Sequence, residues 1–330
     1  MPRNLSGRNF LKLLDFSTEE INYLLDLSQD LKSKKRSGIE GDLLSGKNIA
    51  LLFEKPSTRT RCSFVVAAND EGGSTEFLGQ DDIQLGKKET VADTARVLGR
   101  YFDGIQFRGF DHETVEILGD YAGVPVWNGL TDLYHPTQVL ADLMTLKENF
   151  GDLTDLNFVF AGDGRNNMAN SLMVGSALMG IDYTITSPKE LWPQEKLVNK
   201  CRSIAEDTGA TITIGNQPEE DVKGADAIYT DVWASMGEEA EFERRVELLQ
   251  PFQVNMEMIE NTGNENVIFL HCLPAYHNSD TENGEKIYQE YGLEEMEVTD
   301  RVFESKYSKV FDQAENRMHT IKAVMVATIN

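Results

Sequence analysis

The chain has 330 residues, of which 31 are basic and 55 are acidic, so its formal net charge at pH 7 is −24. This charge repels nucleic acids and anionic membranes, and we therefore expect neither as a partner. The three cysteines, Cys62, Cys201 and Cys272, lack the spacing of a disulfide framework or a zinc ribbon, which favours a cytoplasmic protein. The first residues have no signal-peptide core, and no segment reaches the ~18 apolar residues of a membrane span.

The first half of the chain alternates between short apolar segments and helical patterns. A capping motif at Ser17 to Glu20 starts an amphipathic helix. Four predicted strands follow, each leading into a helix: Asn48 to Phe53, Ser74 to Leu78, Gly104 to Phe107 and Val124 to Asn128. Strands separated by helices pair in parallel through crossover connections, so this half predicts a parallel sheet.

The same pattern restarts after a polar connection that follows residue 150. The strands predicted here are Asn157 to Ala161, Asp182 to Thr186, Thr211 to Ile214, Ala227 to Thr230 and Val267 to Leu270. We predict an α/β fold with two doubly wound parallel-sheet domains, residues 1–150 and 151–314, and a cleft between them. A last helix, about residues 315–330, is expected to return to the first domain. Ligands of such sheets bind at the carboxyl ends of the strands.

Residues 57–61 read Ser-Thr-Arg-Thr-Arg and lie between the first predicted strand and its helix. Ser57 or Thr58 suits an ordinary helix N-cap, which needs no function. Arg59 and Arg61, however, fall early in a helix, where the helix dipole disfavours cations unless an anion is present. Because the free backbone N–H groups of a helix start also bind anions, the segment predicts a phosphate pocket that includes both arginines.

Further polar side chains of the first half lie at strand ends or helix starts. Arg108 follows a predicted strand, although exposed arginines are commonly only solvated, and the same holds for Arg317 in the last helix. His135 begins a helix, and with Gln138 it offers neutral donors for a carbonyl oxygen; a histidine that caps a loop is the alternative. Their shared placement groups these residues into one candidate site.

The second half adds groups that suit an amino acid. Asn166 and Asn167 supply side-chain amides at a helix start, and Asp231 follows a strand, where its carboxylate suits an ammonium group. Cys272 also follows a strand, and its alternative is a small buried hydrophobe. The neighbouring His271 points to the opposite face of the strand, so the sequence does not predict a Cys/His dyad.

Two other kinds of site have weaker support in the sequence. Gly162 and Gly164 follow a strand and suggest a dinucleotide turn, but the third small position is Asn167, so the fingerprint fails. We recognise no cluster with the spacing of metal ligands and predict no metal site. The acidic run Glu238 to Glu243 is typical of a solvated surface.

Four motifs in chain order resemble the aspartate/ornithine carbamoyltransferase family: Ser57 to Arg61, His135 to Gln138, Asp231 to Gly237 and His271 to Pro274. The first two are shared by both branches of the family, and the last two resemble the ornithine branch. The resemblance runs from the first predicted helix to the last. It implies that the carbamoyl group of carbamoyl phosphate is transferred to the δ-amine of L-ornithine, giving citrulline and phosphate, without an organic cofactor.

The resemblance also implies a role for each matching residue. Carbamoyl phosphate is expected at Ser57, Thr58, Arg59, Thr60, Gln84, Arg108, His135, Pro136, Thr137, Gln138, Cys272, Leu273 and Arg317. Ornithine is expected at Asn167, Asp231, Ser235 and Met236, with catalytic roles for Arg108, His135, Cys272 and Asp231. In similar enzymes Gln84 and Lys88 lie on a loop that reaches the site, in some cases the site of a neighbouring subunit. The family forms trimers or assemblies of trimers, so a homo-oligomer is expected.

Several alternatives remain open at this point. One is a carbamoyltransferase for another amine, such as putrescine or acetylornithine. A second is a non-catalytic protein that binds carbamoyl phosphate, and a third is a dinucleotide-dependent oxidoreductase based on Gly162 and Gly164. The sequence also leaves open whether the reaction serves arginine synthesis or the arginine deiminase pathway, because the same chemistry runs in both directions.

Overall fold

The computed structural model describes residues 4–83, 85, 86, 88–233 and 242–329. The chain divides into two compact units, Met1–Met144 with Ala314–Asn330, and Thr145–Gln313. Each unit is built on its own parallel sheet with helices between the strands. The predicted α/β fold with two parallel sheets is therefore confirmed. Among the described residues, no helix combines the length and the apolar character that a bilayer span requires.

The sheet of the first unit has four strands in the order β2-β1-β3-β4. These strands are β1 Asn48–Phe53, β2 Ser74–Leu78, β3 Gly104–Arg108 and β4 Val126–Leu130. From β1 the chain moves outward to β2 and then returns to the other side of β1 to form β3. The direction of winding therefore reverses between β1 and β3, which is where parallel sheets open a crevice at their carboxyl edge.

The sheet of the second unit has five strands in the order β7-β6-β5-β8-β9. They are β5 Asn157–Ala161, β6 Asp182–Thr186, β7 Ile212–Gly215, β8 Ala227–Thr230 and β9 Ile268–His271. Here the winding direction reverses between β5 and β8, so the second crevice is expected at the carboxyl ends of these two strands.

Thirteen α-helices are present in the described residues, and most connect successive strands. The earlier helices are α1 Thr18–Arg36, α2 Thr58–Asp70, α3 Val91–Tyr101, α4 His112–Tyr121 and α5 Pro136–Phe150. The later helices are α6 Asn167–Met179, α7 Glu195–Thr208, α8 Pro218–Asp221, α9 Phe242–Leu249, α10 Met256–Asn261, α11 Glu282–Tyr291, α12 Asp300–Phe303 and α13 Val310–Thr328.

Local sequence explains where several helices begin. Ser17 and Glu20 form a reciprocal capping box at α1. Ser57 caps α2 by accepting a hydrogen bond from the Thr60 amide, and Asn166 caps α6 by accepting one from Met168. The start of each of these helices is thus determined by a side chain next to it in the chain.

Each sheet is embedded in an apolar core of its own unit. In the first unit, Ala50, Leu52, Ile105 and Phe107 pack with apolar side chains of α3 and α4. In the second unit, Val159, Ala161, Ile228 and Phe269 pack with residues of α10 and α12. Burial of these strands on both faces explains why their sequences are continuous apolar runs. The polar groups at the strand ends are consequently carried by rigid elements.

The structure differs from the predicted elements at several points, and two of the differences have simple causes. Strand β4 begins at Val126 and not at Val124, because the intervening Pro125 has no N–H to donate to a ladder. Helix α13 begins at Val310, before the predicted Glu315. The short helices between β7 and α13 were not predicted, since four to ten residues give too few turns for a clear helical period.

Helix α13 is fastened to α2 by a buried ion pair. The Nζ of Lys322 lies 2.7 Å from Oδ2 of Asp70 and 3.6 Å from Oε1 of Glu71, and its side chain is only 2% exposed. Burial would raise the pKa of Asp70, but hydrogen bonds from Lys322 and Lys35 outweigh this effect and the pKa is lowered. The carboxylate is therefore charged in the folded protein.

Replacing Lys322 with methionine should strongly destabilise the first unit. The substitution removes the Lys322 charge from the buried Glu71 and from the half-buried Asp70, which keeps its bond to Lys35. Removing one partner of a buried ion pair costs about 3–5 kcal/mol. Chemical denaturation measures the change in the free energy of unfolding. The control is Lys34→Met. The Lys34–Asp30 pair, at 2.6 Å, is about as short as the Lys322–Asp70 pair, but both of its side chains are exposed, so its loss should change stability little. Equal losses for the two variants would show that burial is not the cause.

Candidate active site

The connection between β1 and α2 presents a helix start that is suited to bind an anion. Ser57 adopts an extended conformation as N-cap, and Thr58 is the first residue of the helix. The first N–H groups of a helix have no partner within it and lie at the positive end of the dipole. Since β1 borders the crevice of the first sheet, this helix start faces the edge where ligands of parallel sheets bind.

Thr60 is the central hydrogen-bonding residue of this cluster. Its hydroxyl oxygen lies 2.6 Å from Nη2 of Arg317, 3.1 Å from Nη1 of Arg108 and 3.1 Å from Oγ of Ser57. Arg108 ends β3 and pairs with Phe53 of β1, whereas Arg317 comes from α13, far away in the sequence. The structure thus brings together two arginines and the start of α2, as the sequence analysis expected.

His135 is buried beside these positive charges. Its burial, followed by the charges of Arg317, Arg108, Lys55 and Arg59, holds the pKa of the imidazole well below its ordinary value. The ring is therefore neutral around pH 7, which is the protonation state that the expected role of an uncharged donor requires.

The rest of the His135 motif forms the start of α5. Helix α5 begins at Pro136, and the Thr137 hydroxyl oxygen lies 3.4 Å from Nδ1 of His135. The side-chain Nε2 of Gln138 donates to Oδ1 of Asp142 at 2.8 Å, and Gln138 is only 1% exposed. This bond orients the Gln138 amide so that its oxygen is the end suited to accept from a ligand NH₂ group.

The two arginines of the first motif separate in the structure. Arg59 contributes to the positive surroundings of His135, but the guanidinium of Arg61 lies over the ring of Phe77, 3.8 Å from its centroid. The expectation that both guanidinium groups meet one anion is corrected here. Residues two positions apart on a helix do not lie on the same face, and Arg61 is turned towards β2.

Lys55 is a charged neighbour that the sequence analysis missed. Its Nζ lies 4.3 Å from the ring centroid of Phe110 and 3.3 Å from Oδ1 of Asp132. Burial lowers the pKa of Lys55, against the charge of Asp132, and the nearby Arg108 lowers it further. A single lysine before a proline resembles any solvated lysine, so only its position between β1 and the Ser57 turn would have revealed it.

In the second unit, Asp231 and Cys272 form a pair at the carboxyl edge of the sheet. Asp231 follows β8 and Cys272 follows the adjacent β9, and the Cys272 thiol donates to Oδ1 of Asp231 across 3.2 Å. Both residues are half-buried. A carboxylate beside a thiol can hold and orient an amine that both groups contact.

His271 has a positioning role next to this pair. Its Nδ1 accepts a hydrogen bond from the amide of Leu273 at 2.9 Å, and its Nε2 lies 3.4 Å from Oε1 of Glu297, with both side chains fully buried. Leu273 has a positive φ of 57°, and its bond to Pro274 is cis. The imidazole thus supports the backbone turn that presents Leu273, and it does not form a dyad with Cys272.

Potential ligand atoms of Asp231, His271 and Cys272 all lie within 4.8 Å of one another. The hydrogen bonds of His271 to Leu273 and of Cys272 to Asp231 already engage two of these groups. Those bonds give the three residues a role without a metal, and the absence of a metal in the functional protein stays a prediction.

The remaining expected residues fall into two groups. Asn167 is half-buried at the first position of α6, and Lys88 is exposed in a turn. Three others, Gln84, Ser235 and Met236, lie outside the described residues.

Comparisons with known proteins agree across the chain. The profile for the carbamoyl-P binding domain of aspartate/ornithine carbamoyltransferase matches residues 8–148, and the profile for its Asp/Orn binding domain matches residues 154–328. A Bacillus cereus protein named "Ornithine carbamoyltransferase, catabolic" is 61% identical over 326 residues, covering 99% of this chain and 97% of the relative. The Streptococcus uberis ornithine carbamoyltransferase is 59% identical over 329 residues, covering 100% of this chain and 98% of the relative.

The solved structures lead to the same family. Ornithine carbamoyltransferase from Pyrococcus furiosus superimposes with a TM-score of 0.92 and 43% identity, covering 99% of each chain. The enzyme from Thermus thermophilus gives a TM-score of 0.82 and 39% identity, covering 98% of this chain and 99% of that one. The resemblance drawn from the four motifs is confirmed, and the chain belongs to the aspartate/ornithine carbamoyltransferase family.

Proposed function

We propose that the protein is a carbamoyltransferase that moves the carbamoyl group of carbamoyl phosphate to the δ-amine of L-ornithine, giving L-citrulline and phosphate. The observation that carries this proposal is the cluster around Thr60, where Arg108 and Arg317 donate to one hydroxyl beside a neutral His135. A site with several cations and a neutral donor matches a substrate with a phosphate at one end and an uncharged carbamoyl group at the other.

In this proposal the first unit holds carbamoyl phosphate. The start of α2, with Ser57, Thr58, Arg59 and Thr60, binds the phosphate and takes up the charge that grows on it as it leaves. Arg317 adds a further cation. Because Thr60 accepts hydrogen bonds from two guanidinium groups and also lies within hydrogen-bond distance of Ser57, its hydroxyl is held in one position at the helix start.

The carbamoyl end meets the uncharged groups. The Gln138 oxygen suits the carbamoyl NH₂, and His135, Arg108 and the Thr60 hydroxyl stabilise the oxyanion that forms when the amine attacks the carbonyl carbon. Pro136 and Thr137 support this geometry by starting α5 directly after the imidazole. The attack needs no nucleophile from the protein.

The second unit is proposed to bind ornithine. A free alkyl amine has a pKa of about 10 and is therefore protonated at neutral pH, and a protonated amine cannot attack a carbonyl carbon. The site must consequently orient the amine and accept a proton from it. The Asp231 and Cys272 pair meets this requirement, because the carboxylate and the thiol are already in contact. Asn167 is proposed to bind the zwitterionic end of ornithine. Further contacts to the substrates are proposed for Leu273, Ser235 and Met236. Two residues of a loop, Gln84 and Lys88, are proposed to complete the site.

The other hypotheses are less favoured. Relatives of 59–61% identity that cover nearly the whole chain are all named for ornithine, which disfavours putrescine, acetylornithine and a dinucleotide reaction. Because the Bacillus relatives are named catabolic, we propose that the protein works in the arginine deiminase pathway.

Two properties of the protein in the cell are part of the proposal. We propose a homotrimer or an assembly of trimers, by analogy with the family that the motifs resemble. A cytoplasmic location is proposed because Cys62, Cys201 and Cys272 are all free thiols, which persist in a reducing compartment.

The direct test of the proposed function is citrulline formation from carbamoyl phosphate and L-ornithine by the purified protein. Turnover is expected with ornithine, and much slower turnover with putrescine, aspartate or acetylornithine at equal concentration. A folded protein that binds carbamoyl phosphate in a calorimeter but produces no carbamoylated product from any of these amines would contradict the assignment.

The division of labour between the two units is tested by a pair of variants. Arg59→Ala should raise KM for carbamoyl phosphate ~10–100-fold, the usual loss for a charged hydrogen bond, with KM for ornithine little changed. Asp231→Ala should raise KM for ornithine and leave KM for carbamoyl phosphate little changed. Steady-state kinetics with each substrate varied separately distinguishes the two effects. Arg61→Ala is the matched control on the same helix, since its guanidinium lies over Phe77. Equal effects of both variants on both substrates would refute the division.

The protonation state of His135 gives a prediction about pH. Because the folded-state pKa is lowered, the ring should stay neutral when pH falls from 8 to 5.5, whereas an exposed histidine titrates near 6.5. In the unliganded protein, the His135 ring resonances, identified by their absence in His135→Gln, should therefore not move over this range. As the pH falls, the imidazole of the unfolded chain is protonated near pH 6.5, before that of the folded protein. The contribution of neutral His135 to the free energy of unfolding is therefore complete above about pH 6.5 and declines below it. A midpoint at or above 6.5 would contradict the electrostatic picture.

A further inference from the structure

A buried histidine that the proposed function does not use joins two connections of the first unit. His112 is the first residue of α4 and is 5% exposed. Its Nδ1 lies 2.9 Å from the hydroxyl oxygen of Thr131, a fully buried residue in the connection between β4 and α5. The backbones of the two connections also meet, because the Asp132 amide donates to the Phe110 oxygen at 2.8 Å. The connection after β3 is therefore fastened to the connection after β4.

The surroundings of the Thr131 hydroxyl determine where its proton goes. The backbone amide of Tyr134 and the side-chain amide of Asn128 each donate to the hydroxyl oxygen at 3.4 Å. These two donors fill the two lone pairs of the oxygen, so the hydroxyl proton needs an acceptor. Nδ1 of His112, at 2.9 Å, is closer than the Tyr134 carbonyl oxygen, at 3.4 Å. The Thr131 hydroxyl therefore donates to Nδ1 of His112.

The charge state of His112 agrees with this assignment. Burial lowers the pKa of His112, and the charge of Glu116 opposes this effect without cancelling it. The ring is therefore neutral around pH 7 and carries one hydrogen. Nε2 lies 3.6 Å from Oε1 of Glu116, and a carboxylate is a suitable neighbour for an N–H group. The hydrogen is consequently placed on Nε2, which leaves Nδ1 as the acceptor.

The segment that Thr131 belongs to leads directly to His135. The Thr131 amide donates to the Tyr134 oxygen at 2.9 Å, which ties the two ends of residues 131–134 together. The Tyr134 ring also packs edge-on against His112, with 5.1 Å between the ring centroids. His135 follows at once, and Pro136 restricts its backbone and begins α5. The position of His135 is therefore linked to the bond between Thr131 and His112.

The two connections carry the groups that the proposed function assigns to the oxyanion. Arg108 ends β3, just before the connection that leads to His112, and His135 ends the connection after β4. Three successive contacts link these connections: Gly109 with Leu130, Phe110 with Asp132, and His112 with Thr131. The first two contacts are made by the backbone. The third is made by side chains, so a substitution can remove it selectively.

We propose that His112 is a positioning residue for carbamoyl transfer, which accepts the Thr131 proton and so holds His135 in line with Arg108 at the oxyanion. The inference rests on the proposed function, in which both groups stabilise that oxyanion. A donor aimed at the oxyanion acts mainly in the transition state, so a shift of His135 lowers kcat more than it weakens the binding of either substrate. His112 acts through Thr131 and is assigned no contact with a substrate.

The test replaces His112 with two amides that reach different atoms of the imidazole. The side chain of asparagine ends where Nδ1 lies and can accept from Thr131, whereas the longer glutamine places its amide near the position of Nε2. His112→Gln should lower kcat for citrulline formation about tenfold, since a misplacement of about 1 Å costs up to about 100-fold. KM for carbamoyl phosphate and for L-ornithine should stay within about threefold. His112→Asn should retain most of the wild-type kcat.

Thr131 supplies a matched pair from the other side of the bond. Thr131→Ser keeps the hydroxyl and should retain most of the wild-type kcat, whereas Thr131→Val removes it and should lower kcat as His112→Gln does. If His112→Gln does not fold, this pair decides the question by the same criteria. Glu116→Gln is the control, because it removes the charge beside Nε2 and leaves the Nδ1 bond, so kcat should not change. Circular dichroism and melting temperatures establish that each variant is folded.

The ring resonances of His135 give a readout that does not depend on turnover. In the unliganded protein they should keep their wild-type positions in Thr131→Ser and shift in Thr131→Val, because only the valine variant loses the bond to His112. Resonances that stay in place in Thr131→Val would overturn the positioning role whatever the activity of the variant.

The kinetic outcomes separate this inference from the proposed function. Folded His112→Gln and Thr131→Val proteins with the wild-type kcat would overturn the inference and leave the function intact. Equal losses of kcat in His112→Gln and His112→Asn would also overturn it, since only one of these variants lacks an acceptor for Thr131. A wild-type protein that forms no citrulline would overturn both the function and the role of His112 in it.

Discussion

The structure of the first unit depends on holding several like charges around one buried hydroxyl. Arg108 and Arg317 both donate to Thr60. Burial first, and then the charges of these two arginines with Lys55 and Arg59, lower the pKa of the neighbouring His135. Like charges this close repel each other, so the cluster persists because strands, helix starts and buried ion pairs position it. A bound dianion would offset this repulsion, which is the physical basis of the phosphate site proposed at the start of α2.

The same topological rule locates the candidate residues of both units. In the first sheet the winding reverses between β1 and β3, and these strands lead to Ser57 and Arg108. In the second sheet it reverses between β5 and β8, and these lead to Asn167 at the start of α6 and to Asp231. Strands buried on both faces make these edges rigid, while the chemistry is carried by the few polar residues that follow each strand.

Local patterns in the sequence predicted most strands, because a buried parallel strand is a short apolar run such as Asn48–Phe53 or Asn157–Ala161. Contacts distant in the chain were not predictable in this way. The meeting of Arg317 with Thr60 depends on tertiary packing. Arg61 was assigned wrongly, because its direction depends on Phe77 of a neighbouring strand. The neutral state of His135 follows from burial, which no local motif encodes.

The most direct test of the account is a crystal structure with phosphonoacetamide, an unreactive analogue of carbamoyl phosphate. The phosphonate is expected at the start of α2, within hydrogen-bond distance of the backbone N–H groups and of Arg59 and Arg317. The amide oxygen is expected to face Arg108 and His135. A phosphonate bound away from Thr60, with the arginines still donating to its hydroxyl as in the unliganded protein, would contradict the central claim.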